Sequence, residues 1–225
     1  MRAPPERLAR ALGHGFTDSR WLEQALTHRS AGADNNERLE FLGDALLGFV
    51  VADALFQRFP QAKEGQLSRL RASLVNKGAL ATLARGLDIG DYLNLGAGEL
   101  RSGGQSRDSI LADALEALFG AVYLDAGYAA AEQVIHSVMR EPLAGAGLAK
   151  QAKDPKTRLQ EYLQSCRRSL PVYGIQEVSG SQHAQTFRVV CALADSGEET
   201  TGIGRSRRRA EQDAAEQMLR RLGDA

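Results

Sequence analysis

Glu37, Glu40 and Asp44 fall at three- and four-residue steps in NERLEFLGDALLGFVVADAL (36–55), so on a helix the three carboxylates share one stripe. With Glu37 set at zero and about 100° per residue, Glu40 lies near roughly 300° and Asp44 near roughly 340°. Leu39, Leu42, Leu46 and Phe49 cover the opposite side, which is expected to face the core. A solvated acidic face would carry Lys, Gln or more Glu beside the acids, yet Phe41, Leu47, Gly48 and Val51 stand there. A second stretch, SILADALEALFGAVYLDAG (109–127), repeats the anomaly. Asp113 and Glu116 are its only charges between Ser109 and Leu124, and at i, i+3 they are neighbours on one face.

Two carboxylates in an apolar setting oppose each other's ionisation, and burial opposes both. Lys or Arg would resolve the conflict, but neither helix interior supplies one. A divalent cation resolves it too, and oxygen ligands without His or Cys select Mg²⁺, or Mn²⁺, rather than zinc. Four carboxylates, Glu40, Asp44, Asp113 and Glu116, converging between helices suit one or two such ions. A site of this kind activates water and offsets charge on a phosphodiester during in-line displacement. Glu64, in the turn KEGQLSR, either adds an outer ligand or caps the helix that follows.

These acids need helices to hold them. Residues 1–143 read as almost entirely helical: apolar residues recur at three- and four-residue steps at Leu22, Ala25 and Leu26, at Leu67, Leu70 and Leu74, and at Val134, Ile135, Val138 and Met139. Glycine-rich breaks fall at 13–15, 32–35, 59–65, 86–90, 96–104 and 126–127. The small, polar run AGAGLAKQAK (144–153) reads as a flexible linker. Beyond it the period changes. Asp154 is a natural N-cap with Pro155 at the first helical position, and that helix runs to about Ser165. A strand starts at Pro171, and Phe187, Val189, Cys191 and Leu193 alternate along a second. A short strand near 200–204 and a helix near 206–222 complete an α-β-β-β-α order over 154–225. The fold class is thus an all-α domain followed by a small α+β domain.

Three parts of the second domain can touch a polyanion. The first helix carries Thr157, Gln160 and Glu161 on a polar face; the loop GSQH places His183 at its tip; and the last helix opens with Ser206, Arg207, Arg208 and Arg209. Cations at a helix N-terminus oppose the macrodipole, so the arginines make sense where an anion also sits on the free N–H groups. This three-patch layout is the one used to span the grooves of double-stranded RNA by shape and 2′-OH contacts, and stacking aromatics for reading single strands are missing.

Composition bounds the rest. The 225 residues carry 28 basic and 28 acidic side chains, so global charge is uninformative and any phosphate binding rests on local clusters. No stretch approaches the roughly 20 apolar residues of a membrane helix, and MRAPPERLARALGHGF lacks the apolar run of a signal peptide. A soluble, cytoplasmic protein is expected. Cys166 and Cys191 have neither a CxxC partner nor metal-ligand spacing and read as reduced packing residues. His14, His28 and His136 read as structural or surface residues.

Together NERLEFLGD, EGQLSRLRASLV, LGAGE, SILADALEALFGAVYLD, DPKTRLQEYLQ, the GSQH loop and GRSRRRAEQDAAEQ resemble bacterial ribonuclease III across essentially the whole chain. Arginine stands where many relatives carry lysine at Arg207–Arg209, which keeps the charge. The resemblance implies a homodimer of helical nuclease domains and a double-stranded RNA substrate, with no small-molecule cofactor. Products would carry 5′-phosphate and 3′-hydroxyl ends with short 3′ overhangs. By position, Glu40, Asp113 and Glu116 resemble the metal ligands. Asp44 resembles the partner that orients the attacking water, with Glu116 the other indispensable acid, and Glu37 and Glu64 resemble auxiliary carboxylates. Implied substrates are ribosomal RNA precursors and structured messages. Phe41, Leu47 and Val51 offer an apolar helical interface for the dimer. Two other readings remain at this point: a non-catalytic scaffold that binds double-stranded RNA, and a metal phosphohydrolase of small nucleotides.

Overall fold

A computed structural model describes residues 3–147, 154–181 and 185–223. The chain divides into two compact units, Met1–Gln151 and Ala152–Ala225.

The first unit is helical: α1 (Pro5–Leu12), α2 (Ser19–Ala25), α3 (Glu37–Arg58), α4 (Glu64–Leu74), α5 (Lys77–Gly86), α6 (Ala97–Arg101), α7 (Asp108–Val138) and α8 (Arg140–Gly145). Helix α7 is its axle. From Ile110 to Val122 nearly every side chain is buried, Asp113 being the half-buried exception, because the sequence there is apolar on all sides and α2, α3 and α5 cover it. At Gly127, φ is 80° and the helix kinks, a conformation glycine adopts without a Cβ penalty. Asn36 fixes the start of α3: its backbone N–H donates to the Thr27 carbonyl at 2.9 Å and its Nδ2 to the Ala25 carbonyl at 3.3 Å.

Helices α3 and α7 cross backbone against backbone. A Cβ added at Gly43 would overlap the carbonyl of Glu116, and one added at Gly120 would overlap the carbonyl of Leu39. This crossing decides which face of α3 is buried. Leu39, Gly43, Leu47, Val50, Val51 and Leu55 form that face, so the expected core stripe through Leu42, Leu46 and Phe49 needs correction. Leu42 and Leu46 are half-buried and Phe49 is 60% exposed. An apolar helix offers two candidate stripes, and the glycine selects the one that admits α7. Leu47 and Val51 lie in the core and are unavailable as an interface, whereas Phe41 (80% exposed), Phe49 and Phe56 (69%) form the outward apolar face.

The second unit holds α9 (Pro155–Ser165), β1 (Val172–Ser179), β2 (Thr186–Ala192), β3 (Glu199–Gly204) and α10 (Arg207–Leu222). The strands form an antiparallel sheet in the order β1-β2-β3, with a register shift between Ile175 and Glu177. Both helices cover one face around Leu159, Leu163, Cys191, Leu193, Met218 and Leu219. Asp154 caps α9 by accepting from the Thr157 N–H at 3.2 Å, and Ser206 caps α10 by accepting from the Arg209 N–H at 3.3 Å. Cys191 packs as expected, but Cys166 is exposed. Helix α8 continues to Gly145, two residues into the stretch read as a linker; 148–153 lie outside the described residues.

Gly43→Ala is expected to cost about 2 kcal/mol or more of unfolding free energy, because the added methyl meets backbone that cannot rotate away. Gly86→Ala, at an open helical position, should change stability by less than about 1 kcal/mol. Urea denaturation of both variants checks the contrast.

Candidate active site

The glycine crossing stacks the acids of α3 on those of α7. Glu40, Asp113 and Glu116 each offer a carboxylate oxygen within 4.8 Å of the others. Asp44 is exposed and stands outside this trio, but it is the largest charge influence on Glu116. Glu37, also exposed, pairs with Arg29 at 3.4 Å on the rim. Glu64 is elsewhere. It starts α4, accepts from the Ser68 hydroxyl at 2.6 Å, and lines a groove with Phe49 and Phe56.

Among the described residues one cation reaches the cluster. Lys77 Nζ lies 3.6 Å from Asp113 Oδ1. The interiors of α3 and α7 supply no such partner; this cation comes from the neighbouring helix α5. The signal was in the sequence: Lys77 follows Asn76, whose side chain caps α5 by accepting from the Ala79 N–H at 3.1 Å. A lysine in the first turn works against the helix dipole unless an acid waits nearby.

One lysine does not balance four acids. Burial pushes the Glu116 carboxyl up to about 7, helped by the charges of Asp44, Glu40 and Asp113 and opposed by Lys77. Burial and the Asp113 charge also raise Glu40. Converging hard oxygens with a surplus of negative charge fit a divalent cation: Glu40, Asp113 and Glu116 would hold it, and its charge would return both glutamates to the ionised form.

Glu40 and Asp113 of the cluster line a cleft of about 500 Å³ together with Glu37, Glu99, His28, Arg29, Ser30 and Arg107. His28 Nδ1 lies 2.8 Å from Ser30 Oγ, which accepts from the Gly96 N–H at 2.9 Å. Arg107, at the start of α7, pairs with Glu99 at 2.5 Å. His28 therefore belongs to the cleft, which its sequence neighbours did not signal. His14 is structural: its Nε2 is 2.8 Å from Asp125 Oδ2, and that carboxylate also accepts from the backbone of Thr17 and Asp18. Arginines beside a cluster of acids suit a polyanion whose reacting phosphate meets a bound cation.

In the second unit Thr157, Gln160 and Glu161 are exposed on α9, and Ser206, Arg207 and Arg208 are exposed at the start of α10. His183 lies outside the described residues. Two residues not singled out from sequence connect these patches. The buried carboxylate of Glu211 accepts from Lys156 Nζ at 2.6 Å and from Arg207 Nε at 2.8 Å.

A helical unit with a cation-ready acidic cleft, in one chain with an α-β-β-β-α unit opening on exposed arginines, defines a nuclease that works on structured nucleic acid. Comparison with known proteins narrows the class. Residues 18–143 match the Ribonuclease-III-like family model and 155–222 match the double-stranded RNA binding motif. The Ribonuclease 3 of Alkalilimnicola ehrlichii is 55% identical over 224 residues, covering 100% of this chain and 98% of the relative. That of Ectopseudomonas mendocina is 57% identical, covering 96% and 95%. The solved nuclease domain of ribonuclease III from Campylobacter jejuni is 43% identical with a TM-score of 0.60, covering 62% of this chain and 98% of that one. The chain belongs to the ribonuclease III family. It is an endoribonuclease of double-stranded RNA.

Glu116 has a sharp pH consequence. Its carboxyl titrates near 7 in the folded protein against 4.5 ordinarily, so across that window the folded state holds a proton that the unfolded chain has lost. Stability of the cation-free protein from this group therefore falls as pH rises from about 4.5 to about 7. Melting in EDTA and in Mg²⁺ should show a Tm gain from the ion that is larger at about pH 8 than at about pH 5. Glu116→Gln should raise Tm in EDTA at the higher pH and shrink the gain. A gain independent of pH would contradict the assignment.

Proposed function

We propose that this chain hydrolyses double-stranded RNA with Mg²⁺, or Mn²⁺ in its place, held by Glu40, Asp113 and Glu116. The observation that carries the reading is the convergence of those three carboxylates within 4.8 Å, two of them, Glu40 and Asp113, lining a cleft that also holds Arg29 and Arg107. A divalent cation bound there supplies charge that offsets the transition state of phosphodiester displacement and makes water more acidic. The remaining roles belong to side chains of the chain itself. Asp44, exposed beside the trio, accepts a hydrogen bond from the attacking water and orients it, with Glu116 as the second indispensable acid. Lys77 holds Asp113 in place, Arg29 and Arg107 face the backbone phosphates, Glu37 acts as an auxiliary carboxylate in the cleft, and Glu64 acts as one from the groove it lines with Phe49 and Phe56.

Attack by water on phosphorus that breaks the P–O3′ bond leaves 5′-phosphate and 3′-hydroxyl ends, and two subunits each cutting one strand leave short 3′ overhangs. The homodimer reading draws support from the outward Phe41, Phe49 and Phe56, and from the Campylobacter jejuni nuclease domain, described as flexible in a region involved in dimer formation. Residues 1–143 form the nuclease domain, 144–153 the linker and 154–225 the RNA-binding domain, which meets the duplex through Thr157, Gln160, Glu161, His183, Ser206, Arg207 and Arg208. Ribosomal RNA precursors and structured transcripts in the cytoplasm are the natural substrates; no helix among the described residues is long and apolar enough to cross a membrane.

Incubation with long duplex RNA should give short fragments in Mg²⁺ and none in EDTA. Glu116→Gln should retain duplex binding and lose at least about a hundredfold in cleavage rate. Native-rate cutting by that variant would remove Glu116 from the site. Turnover of free nucleotides without cutting of duplex would favour a small-molecule phosphohydrolase. For the second unit, log affinity should fall steeply with log salt, and replacing Arg207 and Arg208 together by Gln should reduce the slope by about 2. Filter binding across a salt series measures it.

A further inference from the structure

Glu211 is an acid inside a surface that, on the reading above, receives an anion. Simple electrostatics makes it a liability there, since its charge repels phosphate and neutralises cations that would attract it. Yet it is 8% exposed, and each of its oxygens is taken by a cation, one from Lys156 of α9 and the other from Arg207, four residues earlier on its own helix α10. Lys156 is the second residue of α9, next to Thr157, and Arg207 is the first of α10, between Ser206 and Arg208. Lys156 Nζ also sits 4.4 Å over the Tyr173 ring on β1, so α9, β1 and α10 meet at one carboxylate. Charge-assisted bonds of this length are directional, and the carboxylate that accepts them is itself buried.

We propose that Glu211 is a positioning residue for duplex RNA, clamping the starts of α9 and α10 at the separation that lets both meet one duplex. The proposal rests on the assignment of those two helix starts as RNA contacts. An A-form helix presents its minor grooves and the phosphates between them at fixed spacing, and a module of this type reads shape over about 16 bp. A mismatch between its two patches loses one contact whenever the other forms. The aliphatic stems and packing below the carboxylate hold the fold, while the carboxylate itself sets the last fraction of spacing between the two patches.

The test uses the full chain in EDTA, so that binding is measured without cleavage. Glu211→Gln removes a negative charge from the surface, and a purely electrostatic role predicts tighter binding. Positioning predicts the opposite sign: about tenfold weaker binding of a long duplex, with little change or slight tightening for a duplex of about 8 bp that reaches one patch only. Glu211→Asp keeps the charge but falls a methylene short of reaching both cations. It should follow the same length dependence, and it takes over the test if Glu211→Gln fails to fold by circular dichroism. Tighter or unchanged binding of the long duplex would overturn the proposal. An equal loss on both lengths would do so as well, since that is the mark of a general structural defect. The double replacement of Arg207 and Arg208 separates the two claims. An unchanged salt slope there removes the contact assignment and the proposal together. A flattened slope with length-independent Glu211 variants leaves the assignment standing and overturns the proposal alone.

Discussion

The nuclease unit depends on two missing side chains. Gly43 and Gly120 let α3 and α7 cross with backbone atoms in contact, so that a Cβ at either position would occupy a carbonyl of the other helix. Residues one turn along from such a crossing are carried into each other's reach. Glu40 precedes Gly43 by three residues and Glu116 precedes Gly120 by four, which is why these two acids and Asp113 converge. A wider crossing would separate the acids and lower their mutual repulsion, and with it the demand for a cation. Close packing here is therefore a means of storing unfavourable charge, held in place by the apolar burial of α7 around it.

The two units handle buried charge in opposite ways. In the first, Glu40, Asp44, Asp113 and Glu116 face a single ammonium, Lys77, and burial raises the Glu116 and Glu40 carboxyls. The deficit is an affinity for a small hard ion. In the second, one buried carboxylate, Glu211, meets two cations and its carboxyl is held below the ordinary range despite burial. The local balance there is positive and faces outward. A reacting centre that must recruit a cation and a docking surface that must recruit an anion thus use the same components in reversed proportion.

Much of this was legible in residue order. Acids placed in otherwise apolar helices at 37–44 and 113–116 announced the centre, because solvated faces are not built that way. The change of period after residue 153 announced the second unit, and the caps at Asp154 and Ser206 stand where expected. The face of α3 was not legible. Its apolar residues run around the helix, so periodicity alone could not distinguish the stripe through Leu47 and Val51 from the one through Leu46 and Phe49. Lys77 and Glu211 were missed for a related reason. Lys77 in the first turn of its helix was a hint in residue order, but the acid it answers, like the lysine that Glu211 answers, lies on another helix.

What residue order alone determined was the inventory: which helices form, where the chain changes from helical to mixed structure, and that four acids stand in otherwise apolar helices. These follow from local propensity, capping and period, which act within a few turns of chain. Only the tertiary structure decided which three acids converge within 4.8 Å, which lysine answers them, and which lysine of α9 is tied to Glu211. Electrostatic coupling depends on distance through space, and that distance is set by how closely two backbones pass, a quantity no single helix contains.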